Sequence, residues 1–265
     1  LVGITFQYFL NTEVMRYSLA TGESVFVGWR RFSLLLPIWF VLSSFVPWVL
    51  PGIVATSAAI VNHLFPALPA NILTICLLIL LGITLSLGKT LYKTIETVQK
   101  TILSLSIPFI AYLVYRLATP TDWVALASGI IGQGDGWWFF PQGIAIGSFL
   151  GAFAYSGAGG NLNLAQSYYV KEKGLGMGKY GGRVSSLFAP GDKKIKLEGK
   201  LFTDTPDNRK SWKSWWRLIQ LEHGLVFWGL GFITIALLAT LSFATTKGGS
   251  SGSGIAFLFH EAEVI

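Results

Sequence analysis

The chain of 265 residues is poor in charge and in the side chains that form disulfides or soft metal sites. Only 12% of its residues are charged, and it contains one cysteine, two methionines and three histidines. A lone cysteine excludes an intrachain disulfide and any site that needs several thiolates. Hydrophobic residues make up 52% of the chain and the mean hydropathy is +0.57, outside the range of ordinary soluble domains. The composition therefore predicts a polytopic membrane protein.

Long segments without charge recur along the chain, as expected for helices that need about 20 residues to cross a bilayer. The predicted spans are residues 1–20, 33–62, 71–87, 102–118, 143–170 and 218–243. They predict an all-α fold, a polytopic membrane helix bundle that forms one transmembrane domain over residues 1–265.

The basic residues are confined to a few of the connections between these spans. Seventeen of the 20 Lys and Arg residues fall in the connections 21–32, 88–100 and 171–217, which share one face if the spans alternate direction. An excess of basic residues marks the cytoplasmic side, so the long polar segment 171–217 is predicted to be a cytoplasmic loop. Its basic residues are interleaved with tryptophans, which favours contact with membrane lipid, and no nucleic-acid partner is expected.

The span 143–170 differs from the others because three glycines interrupt its middle. Gly157, Gly159 and Gly160 lie within four residues, and each glycine costs about 1 kcal/mol relative to alanine inside a helix. Backbone freed from a membrane helix must be buried in protein or line a wet cavity. Secondary transporters build substrate sites from such discontinuous helices. The alternative interpretation is that the glycines allow close packing against a neighbouring helix.

The residues around this predicted interruption are the candidate substrate-binding residues. They are Tyr155, Ser156, Gly157, Ala158 and Asn161. The first half of the helix ends near Ser156 with free carbonyls, which suit a cation, and the second half begins near Asn161 with unpaired N–H groups, which suit an anionic group. The dipoles alone therefore leave the substrate open.

Four further polar residues are expected to support the site. They are Glu13 and Arg16 in the first span and Asn163 and Gln166 after the interruption. Glu13 and Arg16 are three residues apart on a helix, so they are predicted to form an ion pair.

Three motifs in the chain are similar to one transporter family. The motifs are Gln7-Tyr8 followed by Arg16 and Ala20-Thr-Gly22, then Tyr92-Lys-Thr-Ile-Glu-Thr-Val-Gln99, and Ser156-Gly-Ala-Gly-Gly-Asn-Leu-Asn-Leu-Ala-Gln166. They resemble helix two, the connection between helices four and five, and helix six of the Nramp family of divalent metal transporters. This family belongs to the amino acid, polyamine and organocation superfamily. The resemblance covers helices two to seven and implies an inverted-repeat transporter of which this chain is a part.

The chain departs from the family motif of helix six, Met-Pro-His-Asn-Leu-Tyr-Leu-His, at its functional positions. The matching residues are Asn161, Leu162 and Leu164. The position of the metal-binding methionine falls on Ala158, and the two histidines fall on Gly160 and Ala165. Without a thioether, selection of soft transition metals is weakened and a harder ion or a different solute becomes an alternative. The histidines of the family's proton route are thus not matched in this helix.

The resemblance implies secondary active transport of a divalent metal cation by alternating access in the plasma membrane of a prokaryote. Ser156, the Gly157 carbonyl and Asn161 are then the expected metal ligands, the metal is the substrate, and a proton or sodium ion is the coupling ion. No other cofactor is expected. The alternative is transport of an amino acid or other organic solute. An enzyme is not expected, because Glu13, Glu222 and His223 are the only candidate catalytic side chains within spans.

Overall fold

The computed structural model describes residues 1–49, 52–86, 91–134, 136–140, 143–184 and 196–246, together with 259, 261 and 263. This part of the chain is mostly helical, in agreement with the all-α prediction. Its α-helices are α1 Val2–Thr21, α2 Val25–Arg30, α3 Leu35–Val49, α4 Gly52–Leu64, α5 Ala70–Ser86, α6 Leu91–Leu117, α7 Pro120–Ile130, α8 Ile146–Ala154, α9 Gln166–Lys173, α10 Pro206–His223 and α11 Gly231–Thr246. The 3₁₀-helices Gly160–Ala165 and Gly176–Tyr180 flank α9, and the π-helical segment Gly224–Leu230 joins α10 to α11. Two-residue strands β1 (Gln133–Gly134) and β2 (Trp137–Trp138) pair antiparallel.

The contacts divide the chain into two compact units. The first contains Leu1–Leu50, Leu85–Glu96 and Leu150–Phe232. The second contains Pro51–Thr84, Thr97–Phe149 and Ile233–Ile265.

The first unit is built around α1, which packs against α9, α10 and the two 3₁₀-helices. Ile4, Asn11, Met15 and Leu19 are buried at helical spacing along one face of α1. The helix ends because Gly22 adopts a left-handed conformation (φ 75°) and its N–H donates to the Ser18 carbonyl at 2.8 Å.

The hydrophobic core of this unit brings together α1, α9 and α10. It consists of Met15, Leu19, Val170, Leu175 and Ile219, with Tyr169, Trp212 and Trp216 packed against it. The core therefore fixes α1 against the segment that follows the glycine cluster.

The second unit contains a helix that is apolar throughout and yet has no buried residue. This helix is α5, and Ile75, Ile79 and Ile83 along it are each exposed by about half of their surface. A helix that is hydrophobic on all sides is stable only when other protein or lipid covers it. The described part of the chain leaves that surface for lipid or for further helices.

Two of the described helices are long and apolar enough, by length and composition, to cross a membrane. They are Leu91–Leu117 and Pro206–Thr246, the latter combining α10, the π-helical segment and α11. Leu35–Val46, Gly52–Leu64 and Ala70–Ser86 are shorter apolar helices. These helices favour association of the chain with a membrane.

The structure differs from the sequence-based boundaries at three places. The amphipathic connection 88–100 is not separate from the next span, because α6 already begins at Leu91. The connection 119–142 contains α7, and the polar segment 171–217 contains the start of α10. The predicted span 33–62 contains α3 and α4, and residues 50–51 between them lie outside the described part.

The two unexpected helices begin at well-formed N-terminal caps. The Asp122 carboxylate accepts the Thr119 N–H at 2.7 Å, with Pro120 as the first helical residue of α7. The Thr205 hydroxyl accepts the Asn208 N–H at 3.3 Å at the start of α10, which also opens with a proline. Local capping thus starts helices where the polar composition favoured loops.

Candidate substrate site at the helix break

The interruption predicted at the glycines is present in the structure. Helix α8 ends at Ala154, residues 155–159 are irregular, and the chain resumes as the 3₁₀-helix Gly160–Ala165 followed by α9. Gly159 and Gly160 have φ angles of 79° and 46°, a region that residues with a side chain rarely adopt. Glycine at these two positions therefore permits the break.

One side chain of α1, that of Gln7, contacts both sides of the break. Its Nε2 donates to the Ala154 carbonyl oxygen at 2.9 Å, and its Oε1 accepts the Gly159 N–H at 3.4 Å. Ala154 is the last residue of α8, so its carbonyl oxygen accepts no hydrogen bond from an N–H group of that helix. Gln7 is buried, with 8% of its surface exposed. A single amide thus satisfies one acceptor and one donor that the break leaves without helical partners.

Glycine at 157 allows the break to approach α1 and the π-helical segment. A Cβ on Gly157 would lie 2.4 Å from Gln7 Oε1 and 2.8 Å from Phe227 Cζ, closer than real Cβ contacts occur. Close packing, the alternative interpretation of the glycine cluster, therefore accounts for Gly157. Gly159 and Gly160 instead serve the backbone conformation.

The π-helical segment Gly224–Leu230 supplies aromatic side chains on this side of α1. Phe227 stacks on His223 with 4.5 Å between the ring centroids, and the Trp228 Nε1–H donates to the Thr5 hydroxyl at 2.9 Å. Single π-helical turns inside α-helices occur frequently at functional sites. Sequence reasoning missed this segment, because π-helical hydrogen bonding has no composition signature of its own.

The candidate ligands lie on two sides of the break. The Ser156 hydroxyl donates to the Phe153 carbonyl oxygen at 2.9 Å, and Gly157 lies against Gln7. Asn161 lies against α3 instead, where its Nδ2 donates to the Ser43 hydroxyl.

The two other candidates have no polar contact that joins them to these ligands. The Tyr155 side chain is 73% exposed and Ala158 is partly buried. The five candidates therefore surround the break without converging on a single point.

The supporting polar residues separate into two groups. Glu13 and Arg16 form the predicted ion pair, with Arg16 Nε donating to Glu13 Oε2 at 2.8 Å, but both side chains are more than half exposed. They lie about two turns of helix from Gln7 and do not contact the break. Asn163 is buried beside it, and Gln166 is partly buried at the start of α9.

Buried polar atoms near the break are incompletely paired within the described residues. Both amide atoms of Asn11, the Oδ1 atom of Asn163 and the Nε2 atom of His223 have no hydrogen-bond partner there. Asn163 Nδ2 does donate to the Gly160 carbonyl oxygen at 3.1 Å. An unpaired buried polar group costs about 1–3 kcal/mol, so native proteins retain few of them. These unpaired atoms lie on α1, on the 3₁₀-helix Gly160–Ala165 and on α10.

A second polar network, which sequence reasoning missed, joins α9 to α10. Glu222 accepts a hydrogen bond from the Tyr169 hydroxyl at 2.6 Å and forms an ion pair with Lys173. The Lys173 ammonium group also donates a hydrogen bond to the Tyr169 oxygen at 2.8 Å. Glu222 lies within the continuous helix Pro206–Thr246. The network ties the segment after the break to this helix.

A third polar group fixes the end of α1. Glu23 is fully buried and accepts hydrogen bonds from the Tyr17 hydroxyl, from Arg31 Nη2 at 2.8 Å and from the Gly199 N–H at 2.9 Å. The contact from Gly199 attaches part of the long polar segment 171–217 to α1. No sequence pattern indicated it, because Glu23 and Gly199 are far apart along the chain.

The described residues contain no group of three or more His, Cys, Asp or Glu side chains that could hold a metal ion. The side chains and backbone at the break offer carbonyl, amide and hydroxyl oxygens. Such oxygen ligands suit hard divalent cations.

Comparison of the chain with family models, with curated proteins and with solved structures finds no match. The resemblance to the Nramp family therefore rests on the three sequence motifs alone.

Proposed function

We propose that the chain is part of a secondary active transporter that moves a divalent metal cation across a membrane by alternating access through the helix break. The observation that carries the proposal is the break itself, at residues 154–160, together with the buried Gln7 side chain that contacts it from α1. Irregular backbone inside a membrane bundle supplies carbonyl groups for ions, and transporters place substrate sites there. The complete protein would be a polytopic inverted-repeat bundle.

The proposed ligands are the Ser156 hydroxyl, the Gly157 carbonyl and the Asn161 amide oxygen. The Asn161 Nδ2 already donates to Ser43, so Oδ1 is the atom of this amide that suits a cation. All three ligands are neutral oxygens, and Ala158 supplies no thioether. This set favours a hard cation such as Mg²⁺ or Mn²⁺ that keeps part of its water shell.

The membrane orientation follows from the distribution of basic residues. The segment 171–217 carries twelve of the 20 Lys and Arg residues and would face the cytoplasm and anionic lipid. The coupling ion would be a proton or sodium.

Transport of an amino acid or another organic solute is the second candidate. It is favoured by the lack of any acidic or histidine cluster in the described residues and by the N–H groups at the start of the 3₁₀-helix Gly160–Ala165. These donors suit a carboxylate.

Uptake by the complete transporter in proteoliposomes distinguishes the two candidates. Mn²⁺, Mg²⁺ and Co²⁺ would be tested separately beside a mixture of amino acids, for the wild type and for Asn161→Asp. A carboxylate at position 161 strengthens binding of a cation and repels a carboxylate solute, so metal uptake at low concentration rises under the proposal. Asn208→Asp, exposed on α10, is the charge-matched control. Uptake of an amino acid without response to any metal would overturn the proposal.

A further inference from the structure

Gln7 occupies the position at which a substrate would meet the ends of the break. We infer that Gln7 keeps the break closed in the absence of substrate and that a bound cation displaces its carboxamide from the Ala154 carbonyl. This inference rests on the transport function proposed above. It assigns a gating role to a residue of α1 outside the candidate ligand set.

The hydrogen bonds of Gln7 match the groups that the break exposes. A carboxamide has donors on its nitrogen and an acceptor on its oxygen. The donor meets the Ala154 carbonyl at the end of α8, and the acceptor meets the Gly159 N–H beyond the irregular residues. The Gln7 nitrogen thereby lies where a cation would bind the Ala154 carbonyl, and the Gln7 oxygen lies where an anion would bind the Gly159 N–H.

The Gln7 side chain also packs against the backbone at Gly157. Gln7 Oε1 lies so close to Gly157 that a Cβ there would be 2.4 Å away, with Phe227 on the same side at 2.8 Å. A cation that takes the place of Gln7 Nε2 at the Ala154 carbonyl has to displace this side chain. The closed arrangement also requires glycine at position 157.

The contacts of Gln7 are weak enough for a substrate to replace. The bond to Ala154 has ordinary length at 2.9 Å, whereas the bond from Gly159 is long at 3.4 Å. A net hydrogen bond in a protein changes an equilibrium constant by about 2- to 10-fold. A dication gains more than this from carbonyl ligands, while water and weakly bound neutral solutes do not. Only a substrate that binds the break more strongly than these two hydrogen bonds would displace Gln7, which favours a charged substrate.

The test uses Gln7→Leu, which keeps the size of the side chain and removes both hydrogen bonds. Backbone hydrogen exchange of residues 153–165 and equilibrium Mn²⁺ binding would be measured on the complete transporter in detergent. Leu10→Ala, at a half-exposed position of the same helix, is the control. We expect faster exchange at Gly159 in Gln7→Leu without metal and Mn²⁺ affinity increased by about 2- to 10-fold. Leu10→Ala is expected to match the wild type in both measurements.

The outcomes separate this inference from the proposed function. Unchanged exchange, or Mn²⁺ affinity equal to or below that of the wild type, overturns the gating role of Gln7. If the wild type binds no Mn²⁺, Mg²⁺ or Co²⁺, the proposed function fails. In that case faster exchange in Gln7→Leu still supports closure of the break by Gln7, and unchanged exchange overturns it.

Discussion

The carboxylate of Glu23 is fully buried, while its ion-pair partner Arg31, at 2.8 Å, has a side chain that is 57% exposed. The two members of the pair therefore contribute differently to stability. Removing the exposed cation leaves a buried anion, whereas replacing the anion by a neutral amide keeps an acceptor for the Gly199 N–H.

The first prediction follows from this asymmetry. Arg31→Ala should lower the free energy of unfolding by about 3–5 kcal/mol, because it leaves the Glu23 charge buried without a cation. Glu23→Gln should cost about 1–2 kcal/mol, because it weakens charge-assisted hydrogen bonds without removing the acceptor. Unfolding of the complete protein in mixed detergent measures both. Arg30→Ala, at the exposed neighbouring arginine, is the control and should lie within about 0.5 kcal/mol of the wild type. Equal costs for Arg31→Ala and Arg30→Ala would show that the pair contributes nothing.

The second prediction concerns the glycine at which the break meets Gln7. Gly157→Ala should reduce substrate uptake by about tenfold or more, because overpacking here costs about 1–3 kcal/mol and shifts the backbone whose Gly157 carbonyl is a proposed ligand. Gly151→Ala in α8 is the matched control, since a Cβ there meets no atom within 4 Å. Uptake by proteoliposomes is the measurement, and similar uptake by both variants would contradict the geometry described for the break.

The third prediction is a pH dependence at Glu172, where burial raises the pKa above its ordinary value of 4.5. The native state therefore holds this proton to higher pH than the unfolded state does. The contribution of Glu172 to stability is fully present below pH 4.5 and is lost as the pH rises through the raised pKa. Glu172→Gln should remove this pH dependence, so that the free energy of unfolding no longer falls as the pH rises above 4.5. The amide can still accept the Val184 N–H, which the carboxylate accepts at 3.1 Å.

The control for this experiment is the neighbouring Lys171, whose pKa burial lowers from 10.5. Its contribution has the opposite sign, so stability increases as the pH rises from the lowered pKa towards 10.5. Lys171→Met should therefore alter the alkaline part of the profile. Because the Lys171 charge also lowers the Glu172 pKa, this variant should raise that pKa further and extend the acidic slope to higher pH, whereas Glu172→Gln removes the slope. An acidic slope that persists in Glu172→Gln would assign it to another carboxyl group.

The fourth prediction tests which side of the membrane carries the basic segment. With the only cysteine replaced by Cys76→Ser, a cysteine introduced by Lys210→Cys should react with an impermeant maleimide in inside-out vesicles and not in intact cells. Thr121→Cys, in the connection 119–142, should show the reverse pattern. Both positions are exposed. Labelling of both from the same side would contradict the alternating spans.

Sequence patterns predicted the elements that depend on neighbouring residues. Helix α1 and the interruption before Gly160 follow from local hydrophobicity and from the conformational freedom of glycine. The starts of α7 and α10 were also encoded locally, in the Thr-Pro caps at residues 119–120 and 205–206, but the polar composition around them favoured loops.

The contacts that build the candidate site depend on residues distant in sequence. Gln7 meets Ala154 across 147 positions, and Glu23 meets Gly199 across 176. Without the packing of α1 against α9 and α10, nothing in the sequence indicates which polar side chain reaches the break. The sequence accordingly led to Ser156, Gly157 and Asn161 as predicted ligands, all at or next to the break, and it did not single out Gln7.

Helix α5 presents apolar side chains on every side. None of its seventeen residues is fully buried by the described part of the polypeptide. In aqueous buffer such an apolar helix would associate with the same helix of other copies. Protein produced without lipid or detergent should therefore precipitate, with the first contacts between chains made by this helix. In a bilayer the same helix would present this apolar surface to acyl chains or to other helices.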